Sequence, residues 1–344
     1  MSVISGLYFR KFKISFIIVT VWLSAFQLSC EKKIKDMIWI ERIDPELNTI
    51  IDDSVDIKVI AEGFVWSEGP LWLSDKQTLL FSDIPQNSIY QWSEDKGKQL
   101  YLKPSGYTDT VTRGGETGSN ALLLNNKGQL VLCQHGDRRM ALMDAPLDDP
   151  QPKFKPLASN YMGKRFNSPN DAVFRSNGDL FFTDPPYGLE GGMKNPKKEI
   201  PFQGVYRLDT MGHVHLLIDS ISRPNGIAFL PGEKTLLVAN SDSLRPVWYA
   251  FDISSTDSLL NGRIFYDASS AISTGIGLPD GMKVDHQGHV FACGPGGVFI
   301  FTSSGKLLGK IRTKTPSANC ALAEEDKVLY ITSKNYVFKV RLRK

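Results

Sequence analysis

Length and composition describe an ordinary globular protein. The chain has 344 residues, 42% of them hydrophobic and 22% charged, which is enough to bury a sizeable core. Three basic residues near the start account for the net charge of +3, because removing them from the 40 Lys and Arg residues leaves 37, against 37 Asp and Glu residues. The charge balance therefore gives no support for binding to nucleic acid or to a membrane surface.

The first thirty residues have the pattern of a targeting segment. A basic stretch from Arg10 to Lys13 precedes the apolar run 14–28, which has the length of a signal-peptide core and is short for a membrane span. Leu28-Ser29-Cys30 resembles a bacterial lipoprotein cleavage box, although Gln27 stands where an aliphatic residue is usual.

We therefore predict a lipoprotein-type signal peptide at residues 1–29, lipidation of Cys30 and a short tether at residues 30–37. The mature protein would be periplasmic or membrane-anchored, touching the membrane only through this lipid. Plain secretion and an uncleaved anchor are the alternatives, and all three place the mature domain outside the cytoplasm.

The three other cysteines, Cys133, Cys293 and Cys320, lie in or beside apolar runs that read as strands. Their spacing matches no zinc pattern, so we interpret them as small core residues. A disulfide between two of them stays open in an oxidising compartment.

Six similar units repeat from Trp66 onward. Each unit opens with a carboxylate or amide side chain, continues into an apolar strand, and turns at Gly or Asn into a second strand. The opening residues stand at positions 68, 120, 170, 225, 280 and 319, close to the period of a propeller blade. Because no segment has a helical apolar stripe, the pattern predicts an all-β, six-bladed β-propeller over residues 38–344.

Two further features of this propeller follow from the sequence. Propellers usually close by pairing an early strand with the last blade, and residues 38–60 are the predicted source of that strand. Two stretches interrupt the repeat, 107–119 and 188–203, and we expect both to be loops on one face.

The unit openings predict a metal site. Residues that precede the innermost strands of a propeller gather at one mouth of its central channel, and here they supply two carboxylates and two amides: Glu68, Asn170, Asn225 and Asp280. We call these four residues the oxygen cage. Each alone is more often a turn residue, but four in register favour a ligand set for Ca²⁺, Mg²⁺ or Mn²⁺. The absence of His and Cys from the cage weakens the case for Zn²⁺.

Five phrases together resemble the SMP-30/gluconolactonase family. They are Trp66–Pro70, Asn167–Asp171, Phe182–Gly188, Pro224–Gly226 and Leu278–Met282. The resemblance implies a six-bladed propeller with one catalytic divalent ion, Ca²⁺ being favoured, held at the positions of the oxygen cage. It also implies a lactone hydrolase, and a sugar lactone such as gluconolactone as the small-molecule substrate.

A Lewis acid in the channel suggests a mechanism for such an enzyme. The ion would polarise the lactone carbonyl and water would attack, with Asp280 as the candidate general base. Further side chains are candidates for binding substrate, with structural roles as their alternatives: Asn120, His135, Arg165, Asn170 and Tyr187. Asp184 is a candidate for the pocket wall or for the turn that follows it.

Other functions find less support in the sequence. There is no Gly-x-Ser-x-Gly nucleophile elbow, no Walker-type phosphate loop and no basic run interleaved with aromatic residues. No obligate protein partner is indicated. Two alternatives remain: a related propeller esterase, lactonase or phosphotriesterase with another substrate, and a non-catalytic sugar-binding propeller.

Overall fold

The structure is a computed structural model that describes residues 36–343, and its regular secondary structure is almost entirely β-strand. The predicted signal peptide, Cys30 and most of the tether lie outside these residues. Between residues 36 and 343 no helix is both long enough and apolar enough to cross a bilayer.

Twenty-seven strands make up the fold, and all but four belong in sequence order to six blades. Two strands precede the first blade: β1 (Ile38–Arg42) and β2 (Asp56–Glu62). Blade one contains β3 (Ser67–Leu73), β4 (Thr78–Asp83), β5 (Ser88–Ser93) and β6 (Gly97–Leu102). Blade two contains β7 (Ser119–Leu124), β8 (Leu130–Gln134), β9 (Arg139–Met143) and β10 (Phe154–Ala158). A separate hairpin follows, formed by β11 (Asn160–Tyr161) and β12 (Lys164–Arg165).

The remaining blades repeat this arrangement. Blade three contains β13 (Ala172–Phe174), β14 (Leu180–Asp184), β15 (Gly204–Leu208) and β16 (Val214–Ile218). Blade four contains β17 (Pro224–Phe229), β18 (Thr235–Asn240), β19 (Val247–Ile253) and β20 (Leu259–Asp267). Blade five contains β21 (Met282–Val284), β22 (Val290–Gly294), β23 (Gly297–Phe301) and β24 (Leu307–Thr313). Blade six contains β25 (Asn319–Ala323), β26 (Val328–Ser333) and β27 (Tyr336–Arg341). Short 3₁₀ helices occur at Pro45–Thr49, Ser74–Lys76, Gly192–Lys194 and Ser269–Ala271.

Each blade is an antiparallel meander whose first strand lies next to the axis and whose turns are set by local side chains. Asn125 illustrates the turn chemistry, because its Oδ1 accepts hydrogen bonds from the backbone N–H groups of Lys127 and Gln129. This side-chain turn reverses the chain between β7 and β8.

The apolar faces of consecutive blades pack against each other all the way round the ring. Six separate core clusters join blades one and two, two and three, and so on to six and one. The cluster between blades six and one, for example, packs Tyr330 against Phe81 and Trp92. Because every blade is buried on both faces, burial of apolar area is distributed over the whole ring.

The ring closes through the N-terminal part of the described chain. Strand β2 pairs antiparallel with β27, with Ile57 opposite Val340, and so completes blade six as a four-stranded sheet. This confirms the predicted closure for the second part of the segment 38–60. For its first part the prediction was wrong, because β1 pairs with β24 and adds a fifth strand to blade five.

The cysteines are core residues, as predicted. Cys133, Cys293 and Cys320 are buried free thiols. Cys133 packs between blades two and three, and the other two pack between blades five and six.

Candidate active site

The starts of the six innermost strands meet around one mouth of the channel. Neighbouring starts are linked directly: the N–H of Ala121 donates to the carbonyl of Asn170 at 3.1 Å, and that of Gly281 donates to the carbonyl of Ala318 at 2.8 Å. These bonds cross from blade two to three and from blade five to six. Side chains at the strand starts therefore face a common space.

Glycine explains why the strand starts can approach so closely. A Cβ on Gly226 would lie 2.2 Å from the carbonyl oxygen of Asp280, and one on Gly281 would lie 2.0 Å from the Cγ of Asn319. Contacts this short are forbidden for real Cβ atoms, so only glycine fits at either position. In each case the glycine follows a cage residue, which accounts for the Asn-Gly and Asp-Gly phrases of the sequence.

The structure brings the four residues of the oxygen cage to this mouth. Glu68, Asn170 and Asn225 are buried, whereas Asp280 is partly exposed. Their surroundings interlock: the hydroxyl of Ser241 accepts a hydrogen bond from Nδ2 of Asn225 and donates one to the carbonyl of Pro279, next to Asp280.

Burial makes the two cage carboxylates hard to ionise. The pKa of Glu68 is raised to about 8, chiefly by desolvation, while the N–H of Gly69 and the amide of Asn319 oppose the shift. The pKa of Asp280 is also raised well above its ordinary value, first by burial and then by the nearby charge of Glu68. Neither carboxylate forms a salt bridge with Lys or Arg within residues 36–343. The site thus holds two acidic groups whose ionised forms are not stabilised by a basic side chain of the described residues.

A divalent cation fits this donor set. Two carboxylates and two amide oxygens are hard ligands, and a cation would compensate the buried negative charge. The part of the chain that the structure describes contains no cluster of three or more His, Cys, Asp or Glu side chains with metal-site geometry. The cage is of a different kind, since half of its proposed ligands are neutral amides.

Three of the predicted substrate-binding residues lie near the cage. Asn120 is buried at the start of β7, and its Oδ1 has no hydrogen-bond partner among the described residues. His135 is fully buried beside Asn170, with 3.5 Å between its Nε2 and the Nδ2 of that residue. The pKa of Tyr187 is raised by burial and then by the charge of Asp280, and its phenol lies within reach of Ser241.

Arg165 has different surroundings. It is exposed on β12, its guanidinium donates to the carbonyl of Asp137, and its backbone N–H donates to Glu199. A role for Arg165 in substrate binding stays a prediction. Asp184, by contrast, has a clear structural role: its carboxylate accepts the N–H groups of Asn167 and Ser168 and so shapes the turn before Asn170.

The two predicted loops meet beside the cage. Arg113, in the first loop, donates to the carbonyl of Gly188 in the second loop at 2.8 Å and stacks over the ring of Tyr107. The Nε and Nη2 of Arg113 are buried without partners among the described residues. From the first loop, Glu116 contributes charge that raises the pKa of both cage carboxylates.

A cavity of about 710 Å³ occupies the opposite end of the channel. It is lined by the far halves of the inner strands, largely by apolar residues such as Leu71, Leu123 and Leu322. None of the four cage residues lines it. Polar side chains such as Asp171, Asp285 and Asn319 also line this cavity, so it differs from the mouth in holding no residue of the oxygen cage.

Several side chains at the site were missed by sequence reasoning. Glu116 and Ser241 have no motif that marks them, and they reach the site only through the fold. Asn319 stands in register as the sixth opening residue, yet no role was inferred for it. Lys283 and Asp171 lie deeper in the channel, where the ammonium of Lys283 lowers the pKa of Asp171 against the larger raising effect of burial.

Comparison with known proteins gives a consistent result. The sequence profile described as the SMP-30/Gluconolactonase/LRE-like region matches residues 66–335. A gluconolactonase from Zymomonas mobilis subsp. mobilis is 39% identical over 315 residues, covering 88% of this chain and 86% of that protein. A pentonolactonase from Haloferax volcanii is 23% identical over 252 residues, covering 72% and 74% respectively.

Solved structures agree with the sequence relatives. The structure of a gluconolactonase from Xanthomonas campestris superposes with a TM-score of 0.75 at 29% identity, covering 88% of this chain and 95% of that one. The sequence-profile match over residues 66–335 includes all six strand starts that surround the candidate site.

Proposed function

Because the chain belongs to the SMP-30/gluconolactonase family and is a lactone hydrolase, we propose that it opens a sugar lactone in a metal-dependent reaction. The oxygen cage would hold one divalent cation, with Ca²⁺ favoured for an all-oxygen donor set. The observation that carries this proposal is the convergence of a buried carboxylate, a partly exposed carboxylate and two buried amides on one mouth, without a salt bridge to Lys or Arg among the described residues.

The cation would supply Lewis-acid polarisation of the lactone carbonyl and would compensate the negative charge that develops on its oxygen. The protein's own groups would do the rest. Asn120 has a buried Oδ1 without a partner among the described residues, which suits it to accept a substrate hydroxyl hydrogen. Tyr187, which is partly exposed, would line the same space, whereas His135 is fully buried beside Asn170.

Asp280 is the proposed general base because of its exposure and its hydrogen bonding. It is the one cage residue that is partly exposed, so water can reach it. Its Oδ1 accepts the N–H of Gly281 at 3.1 Å, which leaves Oδ2 to take a proton from the attacking water. Passing that proton to the departing ring oxygen completes hydrolysis, so that lactone and water give a hydroxy acid.

The substrate class follows from the relatives rather than from the cage. The relatives named above are a gluconolactonase and a pentonolactonase, both of which act on sugar lactones. We therefore propose a sugar lactone over an aryl ester or a phosphotriester. The polar groups beside the cage, Asn120 and Tyr187 among them, suit a substrate rich in hydroxyl groups.

The direct test is a pH-stat assay of D-glucono-1,5-lactone with the uncatalysed rate subtracted. Activity should disappear after chelation and return with one or more of Ca²⁺, Mg²⁺, Mn²⁺ and Zn²⁺. Full activity in the chelated protein would disprove metal dependence. A panel of aldonolactones, aryl esters and phosphotriesters would show whether sugar lactones are the preferred class.

We also propose that the protein is a lipoprotein exported from the cytoplasm, on the basis of the segment 1–30. Mass spectrometry of the membrane-bound protein should find a lipid on Cys30 and no residue before it. A C30A variant should leave the membrane fraction, and retention there would contradict lipidation at this residue.

A further inference from the structure

Each amide of the oxygen cage has a polar side chain within hydrogen-bond distance of its Nδ2. The Nδ2 of Asn225 donates to the hydroxyl of Ser241 at 3.0 Å. The Nδ2 of Asn170 faces the Nε2 of His135 at 3.5 Å. Both acceptors come from the chain just after the second strand of a blade, His135 after β8 and Ser241 after β18. The same device therefore appears twice, in blades two and four.

Orientation matters for an amide in a way that it does not for a carboxylate. The Oδ1 of asparagine can bind a cation. Its Nδ2 carries two partly positive hydrogens and repels a cation. A half-turn about the last side-chain bond exchanges these two atoms with little change in shape. The orientation of the amide must therefore be fixed, and an acceptor that receives a hydrogen bond from Nδ2 fixes it. Among the described residues, no hydrogen bond occupies the Oδ1 of Asn170 or Asn225.

Ser241 is committed to the acceptor role towards Asn225. A hydroxyl has one hydrogen, and Ser241 donates that hydrogen to the carbonyl of Pro279. Only its lone pairs remain for the amide of Asn225, so Nδ2 and not Oδ1 must point at it. Since Pro279 precedes Asp280, the same hydroxyl also ties one cage amide to the backbone of a cage carboxylate.

His135 is set up for the same role towards Asn170. Its Nδ1 lies 3.1 Å from the Oε2 of Glu116, at the distance of an ion pair but without the alignment of a hydrogen bond. Because a carboxylate only accepts, it favours the proton on Nδ1 and leaves a lone pair on Nε2. The side chain of Glu116 is partly exposed, so a small rotation of its carboxylate would align the pair.

We propose that His135 and Ser241 are positioning residues that turn the Oδ1 atoms of Asn170 and Asn225 toward the bound cation, with Glu116 fixing the tautomer of His135. This inference rests on the proposed function, because it requires the oxygen cage to bind a divalent cation. Residues that orient metal ligands in this way typically change metal affinity by about 10- to 100-fold when they are removed.

Metal affinity measured by calorimetry with Ca²⁺ or Mn²⁺ alone tests the proposal without an activity assay. S241A and H135L should each bind the cation about 10- to 100-fold more weakly than the wild type. S241T, which keeps the hydroxyl, and H135Q, whose Oε1 can accept at the position of Nε2, should recover most of the affinity. S333A is a matched control, because Ser333 is a buried serine at the end of the second strand of blade six and bonds only to groups around Thr315 and Pro316.

A double-mutant cycle separates orientation from mere packing. A carboxylate presents oxygen whichever way it turns, so N225D removes the need for Ser241. S241A should therefore weaken metal binding strongly in the wild type and little in the N225D protein. Likewise, H135L should weaken metal binding strongly in the wild type and little in the N170D protein. Thermal unfolding in chelator identifies any variant that fails to fold. If a variant in the Ser241 cycle does not fold, the His135 cycle tests the proposal, and the reverse.

The outcomes distinguish this inference from the proposal on which it rests. A wild-type protein that binds no divalent cation would overturn both. A wild-type protein that binds one, with S241A and H135L binding equally well, would overturn the positioning role alone. An equal loss of affinity in the wild-type and aspartate backgrounds would also overturn it, because that result indicates a packing effect.

Discussion

The two ends of the central channel are built by the same six strands but differ in how closely the strands approach and in which side chains they present. At their starts the strands approach within a distance that only glycines, such as Gly226 and Gly281, allow, and they present carboxylates and amides. At their far ends they enclose a cavity of about 710 Å³ with largely apolar walls. The comparison teaches that the cage residues and the enclosed cavity lie at different ends of the channel, so that a cavity does not by itself mark the candidate site.

The largest effect should come from removing a cage carboxylate. D280N should lower turnover by about 10²- to 10⁴-fold, because a general base is lost, and E68Q should weaken metal binding. The matched control is E233Q at the far cavity, where Glu233 bonds the backbone N–H of Ser176 and its hydroxyl. Comparable losses of lactonase activity in all three proteins would break the distinction between the two ends.

The convergence of the strands itself can be tested through glycine. G281A should lower the free energy of unfolding by about 3 kcal/mol, because its Cβ would overlap the Asn319 side chain. G212A is the control: Gly212 has a φ of 90° but open space around it, so only the backbone penalty of about 1–2 kcal/mol applies. Urea unfolding in chelator measures both, and equal losses would contradict the close-approach explanation.

Charge at the cage predicts how the stability of the metal-free protein depends on pH. The folded pKa of Glu68 is about 8, against an ordinary value of 4.5. Between these values the native state binds a proton that the unfolded state has released, so the free energy of unfolding should fall as pH rises. Glu68 alone can change the free energy of unfolding by at most about 1.4 kcal/mol per pH unit.

Two changes should flatten this slope. E68Q removes the titrating group, and a saturating divalent cation favours its ionised form. Chemical unfolding at a series of pH values in chelator measures the effect. A stability that rises with pH across this window in the metal-free wild type, and no longer does so in E68Q, would contradict the assigned direction.

The smallest effect is expected at the far end. L322A removes a partly buried apolar side chain from the cavity wall, so it should lower the free energy of unfolding by about 1–2 kcal/mol. Metal affinity, measured by calorimetry, should not change. A large loss of metal binding in L322A would show that the two ends are coupled, and the comparison would then need revision.

The sequence was sufficient to predict the propeller and the convergence of the cage residues, because both follow from short sequence motifs that repeat from blade to blade. A carboxylate or amide followed by Gly and an apolar strand predicts where the first strand of a blade begins. In the structure Glu68, Asn225 and Asp280 lie at such strand starts. Their role as metal ligands remains a proposal, as does the role of Asp280 as base.

What the sequence could not supply are contacts between distant segments. Ser241 and Glu116 stand in phrases with no repeat and no motif, and they matter only because the fold carries them to Asn225 and His135. The segment 38–60 was expected to pair with the last blade, but the pairing of Ile38–Arg42 with blade five was not predicted, because a short apolar strand carries no signal that identifies its partner.

The pairing of β2 with β27 has a consequence for how the molecule comes into being. The strand that finishes the last blade is made before the first blade, and its partner is made after every other strand. During synthesis the ring therefore cannot close until β27 has been made, because β2 has no partner in blade six before then. If the chain is exported, as proposed, this order would delay closure of the ring until the last strand has been made.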